Sequence, residues 1–313
     1  MSTFPRGRRI QLPEVSLCTR EAGAGPAVVL CHGFPELAFS WRHQLSALAQ
    51  GGFRTIAPDQ RGYGESDAPK AIEDYDIVHL AGDLAALLDA LEIERAVFAG
   101  HDWGGFVAWA MPILYPERCL GVIGVNTPYV PFPTTDLLRA AFPDPEKLYI
   151  LWFQEPGVAE SVLEREPRLL FQKLMRRGAP PEAPTGETAD ANPFLRLAEL
   201  EDLGETLLSE DEIEVYARGF EKSGFFGPVS WYRNIDRNKE LVPQIGALKL
   251  DLPCLQIGAA WDRALSPALA AGMPELCSDL ELHTIEACGH WTQQERPQEL
   301  SSLMLDWLQR RFA

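Results

Sequence analysis

Residues 100–105 read Gly-His-Asp-Trp-Gly-Gly, and this stretch constrains the backbone more than any other part of the chain. The apolar residues before it are typical of a short buried strand, and Phe106-Val-Ala-Trp-Ala after it is typical of a helix. Side chains at Gly100 or Gly104 would collide with a tight turn between the two elements. The pattern therefore predicts a strand–turn–helix with the Asp102 carboxylate held at the turn.

Apolar, strand-like runs alternate with amphipathic stretches through the first part of the chain. We predict strands at Ala27–Cys31, Phe53–Ala57, Ala96–Ala99 and Leu120–Val125, and helices near Trp41–Ala49, Ile77–Leu91 and Phe106–Leu114. Apolar strands that alternate with helices predict an α/β fold, with a mostly parallel sheet flanked by helices. Residues 8–20 are expected to add a hairpin at one edge of the sheet.

The pattern changes after Thr127-Pro-Tyr-Val-Pro-Phe-Pro. From about Thr134 to Lys239 the sequence has helical patterns and no convincing buried strand. Within this part, residues 178–192 are rich in proline, glycine and small residues and are predicted to form a loop. We therefore predict an inserted helical cap at residues 131–239.

Sheet patterning returns after the predicted cap. Strands are expected at Cys254–Gly258 and Leu280–Ile285, followed by a final helix through Leu300–Arg310. The simplest organisation is one α/β core, formed by residues 1–130 and 240–313 and interrupted by the cap.

The charge of the chain excludes several kinds of partner. Its 45 acidic and 28 basic residues give a formal net charge of −17. Nucleic acid and anionic membranes both require clustered lysine and arginine, so neither is an expected partner. The N-terminal sequence leads into no apolar segment, and no apolar run reaches the ~18 residues of a membrane helix. We therefore expect neither a secretory signal nor membrane insertion, and the sequence carries no signal for an oligomeric state.

The cysteines are scattered without a CxxC pair. They are Cys18, Cys31, Cys119, Cys254, Cys277 and Cys288. Several lie in apolar, strand-like runs, which favours buried free thiols in a reducing cytoplasm over disulfides. Their spacing fits no zinc site, so no metal is expected.

Asp102 is predicted to be a nucleophile, because such a turn presents one side chain at the carboxyl end of a strand. A role as a helix cap alone would not require the flanking glycines. A carboxylate, with an unperturbed pKa near ~3.9, is ionised at neutral pH and needs no general base to attack. Its target is an electrophilic sp³ carbon, and the product is an ester that water must hydrolyse. For the oxyanion of that hydrolysis we assign the backbone N–H groups of Phe34, in the HGFPE turn, and of Trp103.

The general base is expected late in the chain, preceded by an acid. His290 follows the last predicted strand in Cys-Gly-His-Trp-Thr, and Asp262 follows the strand before it in Ala-Trp-Asp-Arg. The order Asp102, Asp262, His290 is the order of nucleophile, acid and base in folds with this turn. His32 and His101 lie beside the two glycine-containing motifs and are assigned structural roles.

Six segments of the chain carry a family resemblance. They are HGFPE (32–36), DQRGYGESDAP (59–69), GHDWGG (100–105), FQEPGVAE (153–160), KSGFFGPVSWYRN (222–234) and CGHWTQ (288–293). With them the chain resembles the soluble-type epoxide hydrolases of the α/β-hydrolase fold over nearly its whole length. The resemblance implies a helical cap, an apolar epoxide and water as the small-molecule partners, and no cofactor.

By that resemblance, Tyr149 and Tyr232 are the two phenol donors of the cap. Asn126 stands where some relatives place the acid of the charge relay, which supports Asp262 in that role. The physical argument agrees with the assignment of the tyrosines. Opening an epoxide generates an alkoxide, and a phenol with a pKa near ~10 stays protonated at neutral pH and can donate to it.

Other functions remain as alternatives. Haloalkane dehalogenases share an aspartate followed by tryptophan, but commonly carry a halide-holding asparagine where this chain has Phe34. Fluoroacetate dehalogenases usually follow the nucleophile with arginine, where this chain has Trp103. Serine-esterase chemistry is disfavoured by Asp102. A non-catalytic ligand-binding protein on the same scaffold is the alternative from a different class.

Overall fold

Eight strands form one continuous sheet in the computed structural model, which describes residues 4–180, 191–200 and 204–313. They are β1 (Arg8–Gln11), β2 (Ser16–Ala22), β3 (Ala27–Cys31), β4 (Arg54–Asp59), β5 (Ala96–His101), β6 (Cys119–Val125), β7 (Leu250–Ala259) and β8 (Cys277–Ile285). Their order across the sheet is β1-β2-β4-β3-β5-β6-β7-β8. Strand β2 is antiparallel to β1 and β4, and the other neighbouring pairs are parallel. The predicted mostly parallel sheet with an edge hairpin is confirmed.

Thirteen α-helices occur within the described residues. They are α1 (Arg42–Gln50), α2 (Ile77–Ala90), α3 (Trp103–Leu114), α4 (Thr135–Ala141), α5 (Tyr149–Trp152), α6 (Val158–Leu163), α7 (Pro167–Leu174), α8 (Glu210–Ser223), α9 (Phe226–Arg233), α10 (Ile235–Leu241), α11 (Met273–Leu276), α12 (Thr292–Glu295) and α13 (Pro297–Phe312). In this part of the chain, none of the helices combines the length and the apolar content that a membrane-spanning segment requires.

The central strands of the sheet are buried on both faces, as the uninterrupted apolar sequence of β3 requires. Val28 and Leu30 pack in a cluster that includes residues of α1 and α13. Val29 and Cys31, which point to the opposite face, pack in a larger cluster with residues of α2 and α3. Residues 28–31 of β3 therefore pack alternately against one of two helical layers.

Helices α4 to α10 all lie between β6 and β7, in the region where the sequence predicts a cap. In the described part of this region, the only β-pairing consists of two isolated bridges, Leu148 with Ala191 and Arg176 with Thr206. The last helix, α10, continues to Leu241, two residues beyond the predicted boundary at 239. Of the predicted loop, residues 181–190 lie outside the described residues, and residues 178–180 form neither helix nor strand.

Candidate active site

Asp102 lies at the turn between β5 and α3, with φ 50° and ψ −125°. A positive φ is uncommon for a residue with a side chain and costs about 1–3 kcal/mol. The neighbouring glycines permit the turn. A Cβ on Gly100 would lie 2.0 Å from the carbonyl oxygen of Gly104, and one on Gly104 would lie 2.1 Å from the carbonyl oxygen of Cys31. Helix α3 begins at Trp103, three residues before the predicted start at Phe106. The prediction was late because Gly104 and Gly105 weaken the helical pattern of the first turn.

The HGFPE turn lies directly against the Asp102 carboxylate. The Phe34 N–H donates to Oδ1 of Asp102 at 2.8 Å, and the Trp103 N–H also donates to the carboxylate. A Cβ on Gly33 would lie 2.4 Å from Oδ1, so only glycine fits at that position. Burial raises the pKa of Asp102, while the charges of His290 and His101 and the two N–H groups act against this rise. The structure thus brings both predicted oxyanion donors to Asp102.

His290 lies between the two predicted carboxylates. Its Nδ1 is 2.9 Å from Oδ2 of Asp262, and its Nε2 is 3.9 Å from Oδ2 of Asp102. Burial disfavours the charged imidazolium, but Asp262 and then Asp102 outweigh it and raise the pKa of His290 to about 9. In the resting protein, the imidazole is therefore protonated at neutral pH.

Asp262 is held by donors on every side. Besides His290, the Asn126 amide donates to Oδ2 at 2.6 Å, and the N–H groups of Ala264 and Leu265 donate to Oδ1 at 2.9 and 3.0 Å. Burial disfavours its charge, yet His290 and these donors hold the pKa of Asp262 well below its usual range. The contact shows how Asn126 fits the predicted assignment, because it supports the Asp262 carboxylate as a neutral donor.

Tyr149, the first residue of α5, and Tyr232, in α9, meet although they come from separate parts of the region between β6 and β7. Their ring centroids are 5.6 Å apart, and the Tyr232 ring lies 5.1 Å from the Trp103 ring and 5.5 Å from the Phe34 ring. Burial raises the pKa of both phenols, and the negative charge of Asp102 raises it further. Both hydroxyl groups therefore remain protonated within electrostatic reach of the Asp102 carboxylate, and they are hydrogen-bonded to each other.

Phe194 is a member of this site that the sequence reasoning missed. Its ring packs 5.6 Å from that of Phe34, 5.4 Å from that of Tyr149 and 5.3 Å from that of Phe153. It follows a segment without helical or strand periodicity, and no local pattern marks it. The aromatic rings around the tyrosines make the surroundings of the site apolar, apart from the groups named above.

Glu36 and His101 form a second polar pair that sequence reasoning did not find. Glu36 is fully buried, and its Oε2 is 2.8 Å from Nδ1 of His101 and accepts the Gly33 N–H at 3.1 Å. Burial favours the neutral acid, but His101 and Gly33 lower the pKa of Glu36 to about 2. Nε2 of His101 in turn lies 2.8 Å from the carbonyl oxygen of His290. The only available signal is that both residues are polar neighbours of the two glycine-containing motifs.

Metal ligation has no geometric support in the described residues. Within residues 4–180, 191–200 and 204–313, no group of three or more His, Cys, Asp or Glu side chains is arranged to hold a metal ion.

The comparisons with known proteins agree with this fold. Residues 26–297 match a family described as alpha/beta hydrolase fold. The chain is 40% identical over 309 residues to bifunctional epoxide hydrolase 2 of Sus scrofa, a match that covers 98% of this chain and 56% of that protein. It is 39% identical over 319 residues to epoxide hydrolase A of Mycobacterium tuberculosis, covering 97% of each. The chain thus spans about half the length of the bifunctional relatives and nearly all of the bacterial one.

Solved structures give the same result. The crystal structure of epoxide hydrolase A from Mycobacterium thermoresistibile matches with a TM-score of 0.87 and 38% identity, covering 97% of this chain and 98% of that one. An epoxide hydrolase from an endophytic Streptomyces matches with a TM-score of 0.87 and 34% identity, covering 98% and 96%. The chain belongs to the α/β-hydrolase family. Within that family, it is a member of the epoxide hydrolases.

Proposed function

We propose that this chain hydrolyses apolar epoxides to vicinal diols through a covalent ester of Asp102. The observation that carries the proposal is the position of the Tyr149 and Tyr232 phenols within electrostatic reach of the Asp102 carboxylate, with the His290–Asp262 pair beside that carboxylate. The relatives named as epoxide hydrolases support the same activity. In this assignment, residues 131–239 are the cap domain, and residues 1–130 and 240–313 are the core domain.

In the first half-reaction, Asp102 attacks one carbon of the epoxide ring. Attack through Oδ2 leaves Oδ1 as the ester carbonyl oxygen, already within hydrogen-bond distance of the Phe34 N–H. The carbon–oxygen bond of the ring breaks, and the leaving oxygen accepts a proton through the phenols of Tyr149 and Tyr232. The protonated His290 gives up one proton, and the phenols regain the one that they gave to the leaving oxygen, so the step balances.

Formation of the ester turns His290 into a base. The Asp102 charge that raised the pKa of His290 disappears, so the neutral imidazole becomes favoured. His290 then takes a proton from water, which attacks the ester carbonyl carbon. The oxyanion on Oδ1 accepts hydrogen bonds from the N–H groups of Phe34 and Trp103. When the tetrahedral intermediate collapses, the diol oxygen leaves and His290 protonates it. The released Asp102 carboxylic acid returns its proton to His290, and the resting state is restored.

The cysteines support the expected compartment. All six are buried free thiols, and free thiols are the usual state of cysteine in a reducing environment such as the cytoplasm. We include a cytoplasmic location in the proposal on this basis.

Oxygen labelling tests the covalent mechanism. A single turnover in ¹⁸O-water, with enzyme in excess over a styrene-type epoxide, should yield mostly unlabelled diol and place the label in the peptide that contains Asp102. Label found chiefly in the first-turnover diol would show that Asp102 acts as a general base and would refute the nucleophilic role. Parallel incubation with a 1-haloalkane separates the alternatives, since a dehalogenase releases halide and a binding protein converts neither compound.

A further inference from the structure

The segment that begins at the last residue of α7 contacts both loops that carry the predicted base and acid. We call residues 174–180 the docking segment. Three hydrogen bonds join it to the core: the Trp291 indole donates to Leu174 O at 2.7 Å, the Gly178 N–H donates to Glu295 Oε2 at 3.1 Å, and Arg263 donates to Pro180 O at 3.3 Å. Trp291 directly follows His290, and Arg263 directly follows Asp262. The cap is therefore bonded to residues adjacent to both members of the pair.

Glu295 lies at the centre of this contact. Its side chain is buried, with 6% of the residue exposed, and its Oε2 also accepts the Gly289 N–H at 2.9 Å. Gly289 is the residue before His290, so one carboxylate oxygen joins the backbone of the base loop to the backbone of the cap at Gly178. Because one side-chain oxygen accepts both N–H groups, Glu295 holds the two backbones at a fixed separation.

The two backbones at the junction leave no space for side chains. A Cβ on Gly178 would lie 2.6 Å from the Cα of Gly289, and a Cβ on Gly289 would lie 2.7 Å from the Cα of Gly178. The docking segment is thus in direct backbone contact with the base loop. This close approach is independent of the hydrogen bonds of Glu295 and gives the same placement.

The other side of the base loop is fixed by the core alone. The carbonyl oxygen of His290 accepts the Asn126 amide at 3.2 Å and lies 2.8 Å from Nε2 of His101. On the side that precedes His290, the Gly289 N–H donates to Oε2 of Glu295. The same oxygen accepts the Gly178 N–H of the cap. Docking of the cap and placement of the imidazole are coupled through that atom.

We propose that Glu295 is a positioning residue that aligns His290 when the docking segment is in place. The inference rests on the proposed function and deepens it, because it assigns the second half-reaction a requirement that the first does not share. Attack by Asp102 needs the phenols of the cap helices α5 and α9, which the docking segment does not carry. It also needs His290 to lose a proton, but for this the imidazole does not have to be aligned with a water molecule. Hydrolysis of the ester needs the imidazole of His290 aligned with a water and the ester carbonyl.

The test compares the two half-reactions in Glu295 variants. Glu295→Ala removes the acceptor of both N–H groups and should slow ester hydrolysis by ~10- to 100-fold, the effect of a misplacement of about 1 Å. Alkylation should stay within about threefold of the unchanged protein, so the ester accumulates and is visible by mass spectrometry. Glu295→Gln should restore hydrolysis, because its amide oxygen can accept both N–H groups and its NH₂ would replace Oε1, which makes no hydrogen bond.

A matched control removes a cap–core hydrogen bond elsewhere. Tyr216, in α8, shares a 2.7 Å hydrogen bond with Ser40 of the core, and Tyr216→Phe should leave the ratio of the two rates unchanged. If Glu295→Ala does not fold, Trp291→Phe is used instead, since it removes the indole N–H that binds Leu174 and should also slow hydrolysis selectively.

Two results would overturn the positioning role: equal slowing of both half-reactions, or hydrolysis as fast as in Tyr216→Phe. A failure of the proposed function is separately visible, because the unchanged protein would then place no label in the Asp102 peptide.

Discussion

His290 lies between two carboxylates whose charges have different fates in the proposed reaction. Asp262 stays ionised, because Asn126 and two backbone N–H groups hold its charge. Asp102 loses its charge when it forms an ester. The pKa of His290, raised to about 9 in the resting protein, therefore depends in part on a charge that the first half-reaction removes. One residue can in this way be an acid before the ester forms and a base afterwards.

Removal of either charge should lower the pKa of His290. We expect Asp262→Asn to lower it further than Asp102→Asn, since Asp262 makes the stronger contribution. A histidine whose pKa is raised by folding, here from 6.5 to about 9, stabilises the protein fully below pH 6.5 and loses that stabilisation as the pH rises to about 9. Titration of the His290 ring signals by NMR measures the change. An unaltered pKa in Asp102→Asn would contradict the proposed switch from acid to base.

The two phenols should act in the first half-reaction. Changing Tyr149 or Tyr232 to Phe removes one donor to the leaving oxygen and should slow alkylation by ~10- to 1000-fold, with less effect on ester hydrolysis. Rapid-quench measurement of ester formation and decay separates the two rates. Tyr129→Phe is the control, since its hydroxyl donates to the carbonyl oxygens of Gln244 and Leu248. Normal turnover by the double Phe variant would contradict the assignment.

Helix α9 brings Tyr232 to the site by packing on the loop after β4. A Cβ on Gly227 would lie 2.7 Å from the Cα of Gly62 and 2.9 Å from the Tyr75 hydroxyl. In the same helix, the Trp231 indole donates to the Arg61 carbonyl oxygen at 3.3 Å. The distance between α9 and the core, and with it the position of the Tyr232 phenol, thus depends on the absence of a side chain at Gly227.

Gly227→Ala should displace α9 from the core and slow alkylation, because the phenol moves away from the leaving oxygen. We expect ester hydrolysis to change less, since neither His290 nor Asp262 lies on this helix. Gly272→Ala is the control, because a Cβ at Gly272 has no neighbour within 4 Å. The same rapid-quench measurement applies, and an alkylation rate equal to that of the control would show that the contact does not set the position of α9.

The sequence predicted those parts of the fold and site that depend on local patterns. The alternation of apolar strands and helices predicted the sheet, and the position after a strand marked Asp102, Asp262 and His290 as candidates. The roles of Glu36 and Glu295 depend on which distant segments meet. Glu36 pairs with a residue 65 positions away, and Glu295 with one 117 positions away. No local spacing encodes such contacts, and the tyrosines were found by family resemblance for the same reason.

At the scale of the whole molecule, one buried carboxylate caps the N-terminus of a core helix and also binds an arginine of a cap helix. Asp76 is 1% exposed and precedes α2, where its Oδ1 accepts the N–H groups of Val78 and His79 at 3.1 and 3.0 Å. Its Oδ2 accepts Nε of Arg237, in α10, at 2.9 Å. The adjacent Ile77 N–H donates to the Asn238 side chain of the same cap helix at 2.8 Å. These contacts join the cap to the N-terminus of a core helix.

Variants of this junction should separate its two roles. Asp76→Ala removes the helix cap and leaves buried N–H groups unpaired, so it should lower the free energy of unfolding by about 1–3 kcal/mol. Arg237→Ala removes only a half-exposed ion pair and should lower it by about 0–1 kcal/mol. Urea unfolding followed by both circular dichroism and tryptophan fluorescence measures these losses. If the cap and core unfold together, the two probes should coincide in each variant. Equal losses in the two variants would show that Asp76 acts only through Arg237. Separated transitions in the unchanged protein would show that the intact junction does not make the cap and the core unfold together.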